Sequence, residues 1–145
     1  MSASPLFRQD VDLDQLNAMS KDTAIQSLGI EFTAIGPDWL AATMPVDGRT
    51  HQPYGLLHGG ASAVLAETLG SVAAMAHAGE GQIAVGIELN ATHHRGVTSG
   101  TVTGTARALH LGSRVATYEI VVEDSESRRV CTARLTCMVM AARDR

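Results

Sequence analysis

From Gly59 to Gly79 the chain carries a single formal charge, Glu67, in a run otherwise made of Ala, Gly, Ser, Thr, Val, Leu, Met and one His. Continuous helix-forming residues predict a helix that begins at Gly59 or Gly60, runs to about Ala78 and ends at Gly79. A helix exposed to water shows a polar stripe. This one is apolar or small around nearly its whole circumference, so it belongs in the interior of the fold. A carboxylate at its centre then needs a reason, because burying an unpartnered charge costs several kcal/mol or forces the group to take up a proton.

At about 100° per residue, Ala63, Glu67, Ser71 and Ala74 fall on one narrow face that points back toward Gly60. Small side chains there leave room for a molecule to approach Glu67. Ser71, one turn on, is placed to hydrogen-bond the carboxylate or a water beside it. The stripe of Val64, Leu65, Leu69, Val72 and Ala76 is the expected packing face. The plainer alternative makes Glu67 a satisfied interface carboxylate. At the helix start, His58-Gly59-Gly60 presents free N–H groups and the positive end of the helix dipole, which suits a developing negative charge such as a tetrahedral oxyanion. Gln52 flanks this element; His58 taken alone reads as structural.

The rest of the chain arranges itself around that helix. Asp10 to Met19 reads as a short amphipathic helix, and Ser20 to Ser27 as another turn or two. Leu28 to Ile35 and Trp39 to Val46 form a probable hairpin around Gly36-Pro37-Asp38, with Pro45 favouring an edge or a strand end. Asp47 to Leu57 is a loop. Four runs rich in Val, Ile and Thr follow, near Ile83 to His93, Gly100 to Leu111, Arg114 to Glu123 and Arg129 to Met140. No repeat or linker divides residues 1–145, which read as one domain. A hairpin, one long helix and consecutive strands predict an α+β fold with an antiparallel sheet wrapped around the helix. Neither a βαβ alternation nor a phosphate-binding glycine loop is present.

Composition narrows the function. With 45% hydrophobic and 18% charged residues the chain is globular rather than disordered, and a net charge of -4 offers no broad basic field for nucleic acid. Met1 to Asp10 has no apolar h-region, and Glu67 with its Gly- and Ala-rich surroundings makes Gly55 to Gly79 a poor membrane span, so a cytoplasmic protein without membrane or nucleic-acid partners is expected. Cys131 and Cys137 sit about 20 Å apart along one strand. Disulfide geometry needs Cα atoms within about 7 Å, so both are expected to be reduced. No zinc pattern and no Ser-His-Asp triad is visible, and neither metal nor cofactor is expected.

The run Gln52-Pro53-Tyr54-Gly55-Leu56-Leu57-His58-Gly59-Gly60-Ala61-Ser62, followed by Leu65-Ala66-Glu67 and Gly70-Ser71, resembles the hotdog-fold acyl-CoA thioesterases. The likeness is to their PaaI-like branch, the bacterial group that includes thioesterases of menaquinone and enterobactin synthesis. Glu88 to Arg95 and Leu109 to Gly112 resemble that branch too, so the likeness covers nearly the whole chain. It implies hydrolysis of acyl- or aroyl-CoA to free acid and CoA. Glu67 would be nucleophile or general base, and the Gly59 N–H, helped by Gln52, would polarise the carbonyl. His58 would orient substrate or assist the thiolate, and Ser71 would place the water. It implies a homodimer in which Glu67 of one subunit faces binding residues of the other, with two dimers forming a homotetramer.

In an extended strand His93 and Arg95 share one face while His94 points to the other, so a basic pair can meet CoA phosphates as Gly96 turns the chain; a surface salt bridge is the plainer alternative. By the resemblance, His110, Leu111, Gly112, Ser113, Arg114 and Val115 lie along pantetheine or nucleotide with Gly86 nearby. Tyr54 stands where relatives often carry Phe. A thioester is a good electrophile with a good leaving group, so one carboxylate and oriented donors suffice for hydrolysis. Two other readings use the same fold: hydration or dehydration of an enoyl or hydroxyacyl thioester, and a non-catalytic acyl-CoA binding module.

Overall fold

The computed structural model describes residues 9–143. The two segments outside that range include most of the Met1–Asp10 stretch read above. Nine elements follow in order: α1 (Leu13–Met19), α2 (Ala24–Ser27), β1 (Glu31–Ile35), β2 (Trp39–Pro45), α3 (Gly59–His77), β3 (Gln82–His93), β4 (Thr101–Leu111), β5 (Val115–Glu123) and β6 (Arg129–Ala141). Asp12 caps α1 by accepting from the N–H groups of Asp14 and Gln15, so the helix starts later than its amphipathic pattern suggests. Elsewhere the elements match the expected ones to within a few residues.

All strands join one antiparallel sheet in the order β1-β2-β4-β5-β6-β3. Strands β4, β5 and β6 form a meander, whereas β2 crosses to β4 and β3 crosses to β6. Pro45 is the last residue of β2, beyond its pairing with β1, where its missing N–H costs no ladder bond with that neighbour. Strand β5 shows strict alternation, with Ala116, Tyr118, Ile120 and Val122 buried toward α3 and Thr117, Glu119 and Val121 on the other face.

Helix α3 packs against β2 through β6. Two glycines set how closely: a methyl at Gly70 would fall 2.5 Å from Cδ2 of Leu135, and one at Gly104 would fall 2.6 Å from Cδ1 of Leu69. The resulting core contains Leu40, Met44, Leu65, Leu69, Ile120 and Leu135, all fully buried. Each such side chain contributes about 1.5–3 kcal/mol by leaving water. The rotation of α3 follows the expected one at Leu65, Leu69 and Ala76, which are buried, and at Ala63, Glu67 and Ser71, which are half-buried, and departs from it at Ala74. Ala74 is fully buried rather than beside Glu67 on an open face, while Val64 and Val72 pack half-buried against the core. An all-apolar helix has only a weak sequence stripe to set its azimuth, so the Gly70–Leu135 and Gly104–Leu69 contacts complete the choice.

The register of the sheet shifts at four places, and two of these are bulges in the long strands β3 and β4. One lies in β3 between Gly86 and Glu88, the other in β4 between Ala108 and His110. The extra residues, Ile87 and Leu109, are 53% and 59% exposed. Strand β3 pairs with β6 on one side only, leaving a twelve-residue edge with unpaired backbone groups. Both cysteines lie in β6, buried and free.

Candidate active site

The loop before α3 is held mainly by its own backbone. The Gln52 N–H donates to Leu56 O at 2.8 Å, the Leu57 N–H to Val97 O at 2.7 Å, and the His58 N–H to Thr50 O at 2.7 Å. Thr50, buried, anchors the turn by donating to Pro45 O at 2.7 Å. His58 is the N-cap of α3, and its Nδ1 accepts from the Gly60 N–H at 2.8 Å. That bond places the neutral imidazole proton on Nε2, in an exposed ring. The Ala61 and Ser62 N–H groups both donate to His58 O. Of the first four helical amides, the Gly59 N–H is thus the one with no acceptor among the described residues.

The Gly59 amide faces a cleft of about 330 Å³ lined by Gln52, Leu56, Leu57, Gly59, Ser62, His93, His94, Arg95, Gly96 and Val130. Gln52 Oε1 accepts from the Tyr54 N–H, which leaves its amide N–H₂ available as a donor. His93 projects from the helix-facing side of β3, and its Nε2 would be 2.8 Å from a methyl built on Gly59. His94 lies on the opposite face, within 2.9 Å of Thr132 Oγ1, as strand alternation requires. His94 and Arg95 both donate their N–H to Val130 O. No ion pair joins His93 or Arg95 to a carboxylate among the described residues, so the expected salt-bridge alternative is not formed. Leu56, Leu57, Ser62 and Val130 line the cleft and are not among the residues expected there from sequence; Ser62, one turn after His58, is the readable one.

Glu67 lies elsewhere. It is half-buried and packs on the β3 bulge, where a methyl at Gly86 would overlap its Oε1. No hydrogen bond or ion pair joins its carboxylate to another described residue. Burial pushes the neighbouring Cys137 thiol up to about 11; the Glu67 charge acts in the same direction, and the Ser71 hydroxyl opposes both. Of the two partners expected for Ser71, the carboxylate or a water beside it, no hydrogen bond joins Ser71 to the Glu67 carboxylate among the described residues. Ser71 also opens onto a second groove of about 350 Å³, where Val72, Met75 and Ala76 of α3 face Val11, Leu16 and Met19 of the N-terminal segment.

The remaining residues sit at the far end of α3. His110, Leu111, Gly112, Ser113, Arg114 and Val115 form the β4–β5 turn, with the His110, Ser113 and Arg114 side chains exposed. The chain therefore gathers Gln52, Gly59, His93, His94, Arg95 and Gly96 in one place, Glu67, Gly86 and Ser71 in a second, and His110 to Val115 in a third. Glu67 follows Gly59 by eight residues, about 12 Å along the helix axis at 1.5 Å per residue. One thioester carbonyl cannot meet both within a single chain. Among the described residues no group of three His, Cys, Asp or Glu side chains is arranged to hold a metal ion.

A sheet of this order with one long helix across it, a glycine-rich helix start and a lone helical carboxylate define a hotdog-fold thioester hydrolase. The chain belongs to the thioesterase superfamily, whose family model matches residues 54–131. It is 53% identical over 135 residues to the proofreading thioesterase EntH of Cronobacter turicensis, covering 93% of this chain and 98% of that one. A thioesterase crystal structure from Haemophilus influenzae superposes with a TM-score of 0.92 at 43% identity, covering 94% of this chain and 95% of that one. A mutant thioesterase from Pseudomonas aeruginosa gives 0.93 at 48% identity, covering 94% and 99%.

Proposed function

We propose that the chain hydrolyses acyl- or aroyl-CoA thioesters to the free acid and CoA, at a site completed by two copies of itself. The observation that carries this is the separation of the lone carboxylate from the free Gly59 amide, in a molecule whose β3 edge is unpaired beside that carboxylate. Antiparallel pairing of two β3 edges would bring the start of one strand against the end of the other. Glu67 and Gly86 of one copy would then approach Gly59, Gln52 and His93 of its partner. Two such dimers would pair into a tetramer.

In this arrangement the thioester oxygen accepts from the Gly59 N–H, with the Gln52 amide as a further donor, and both stabilise the oxyanion as it forms. Glu67 either takes a proton from a water that attacks the carbonyl carbon, giving the free acid as CoA thiolate leaves, or attacks that carbon itself, expelling the thiolate to form an acyl-glutamyl anhydride that water then hydrolyses to the free acid and the free carboxylate; in both cases the Nε2–H of His58 assists the departing thiolate. Arg95 and the adjacent histidines would meet CoA phosphates, and the β4–β5 turn would lie along the nucleotide. Ser71 would place the water, and the groove beside it, rich in Val, Leu and Met, would accommodate the apolar part of the acyl group. The free, buried cysteines suit a reducing, cytoplasmic setting.

The test is turnover of an acyl-CoA panel with a thiol reporter, followed by subunit complementation. Glu67→Ala and Gln52→Ala chains are each expected to be nearly inactive. Unfolded together and refolded as a mixture, half of the dimers would hold one intact site of two, restoring about a quarter of the wild-type activity. No recovery above the separate variants would place the whole site within one chain and defeat the proposal.

A further inference from the structure

Helix α3 ends on a buried histidine that the hydrolytic site does not use. His77 is 5% exposed, and its Nε2 lies 3.0 Å from the carbonyl oxygen of Gly112, in the β4–β5 turn. A carbonyl only accepts, so Nε2 carries the proton and donates. The turn is otherwise closed by backbone: Gly112 N–H donates to Val115 O at 2.9 Å, and Arg114 O accepts from the Val139 N–H at 2.8 Å. It is also crowded, since a methyl at Gly112 would fall 2.7 Å from both Val115 O and His110 Nε2. His77 therefore supplies a side-chain tie between this turn and the helix that carries Glu67.

The helix end is itself tied by hydrogen bonds. The Ala78 N–H donates to Ala74 O, and Gln9 covers three further carbonyls, through its N–H to Ala76 O at 3.1 Å and its Nε2 to Ala78 O at 2.9 Å and Met75 O at 3.3 Å. A bond from a helix end tied in this way to the carbonyl of a short turn sets where the turn's exposed side chains point. Those are His110, Leu111, Ser113 and Arg114. Arg114 makes no ion pair with a described residue.

We infer that His77 is a positioning residue: by holding Gly112 it aims the β4–β5 turn at the nucleotide of the bound thioester, fixing that part of the ligand relative to Glu67 on the same helix. This rests on the reading of the turn as a nucleotide contact. His77 lies outside the cleft and reaches no ligand itself, so its loss should weaken recognition of CoA while leaving bond cleavage intact.

The experiment compares benzoyl-CoA with benzoyl-N-acetylcysteamine, a thioester without the nucleotide. His77→Phe is expected to raise KM for benzoyl-CoA about tenfold through the lost hydrogen bond, with kcat and the kcat/KM for the truncated thioester within about twofold. His77→Gln, which keeps a donor of similar reach, should recover most of the loss, and His77→Asn should not. If His77→Phe fails to fold, the Gln and Asn variants carry the comparison. Equal losses on both thioesters, or an unchanged KM for benzoyl-CoA, would overturn the inference. Arg114→Ala separates the two levels. If it raises KM for benzoyl-CoA but His77→Phe does not, only the role of His77 fails; if neither does, the nucleotide reading of the turn fails with it.

Discussion

The two ends of α3 are finished in opposite ways. At its start the cap is an exposed histidine, the Gly59 amide is left without an acceptor, and a cleft opens in front of it. At its end Gln9 and the Ala78 amide engage the last carbonyls, and His77 is buried against Gly112. Every helix begins with free donors and ends with free acceptors. Here the carbonyls of Ala74, Met75, Ala76 and Ala78 find donors within the fold, while the Gly59 N–H finds no acceptor among the described residues. Changes at the start and middle of α3 should therefore cost chemistry without stability, and changes at the end should do the reverse.

The sharpest test lies at the middle. Glu67→Gln keeps the shape of the side chain and should lower kcat by about a thousandfold, with an unchanged thermal midpoint. A comparable loss of stability would mean that the carboxylate serves the fold. Next comes Gly59→Ala, whose methyl would meet His93 Nε2 at 2.8 Å and narrow the approach to the free amide. A fall in kcat/KM of about a hundredfold is expected, read against a melting curve shifted little.

At the other end, Gln9→Ala strips partners from Ala78 O and Met75 O and should cost about 1–2 kcal/mol in urea denaturation, with kcat within about twofold of wild type. A large loss of kcat there would erase the contrast between the ends. The smallest effect concerns Cys137, whose thiol is raised from 9.0 to about 11, first by burial and then by Glu67. The folded state holds this proton more tightly than the unfolded chain. The stability it contributes is therefore complete below pH 9 and is lost as pH rises toward 11. Cys137→Ala should flatten that decline in urea titrations at successive pH values. Tyr118, raised in the same direction by burial, leaves part of the slope in place.

Much of this was legible in the chain itself. The long helix, its single carboxylate, its start at His58-Gly59-Gly60 and the β character of the second half follow from residue types and spacing, whereas the cap that His58 makes to the Gly60 N–H does not. The rotation of α3 was legible only in part, because a helix apolar nearly all round offers a weak stripe to read. Ala74, expected on the face of Glu67, is fully buried, whereas Val72 packs half-buried against the core as its stripe predicts. The β3 bulge was hidden. It puts two residues, Gly86 and Ile87, opposite one and brings Gly86 under Glu67, yet strand alternation alone does not show where a register slips. His77 gave no signal at all: a histidine in an alanine-rich run reads the same whether it is buried on a carbonyl or turned to solvent.

The sequence by itself determined which groups exist, in what order, and that one charge had to be accommodated in an apolar helix; these are local properties, set by side-chain chemistry and the periods of helix and strand. Only the tertiary structure decided that β3 is an edge, that its bulge lies under Glu67, and that the turn from His110 to Val115 is tied to the end of α3. Those depend on contacts between residues distant along the chain, where packing of particular side chains, and not composition, selects the arrangement.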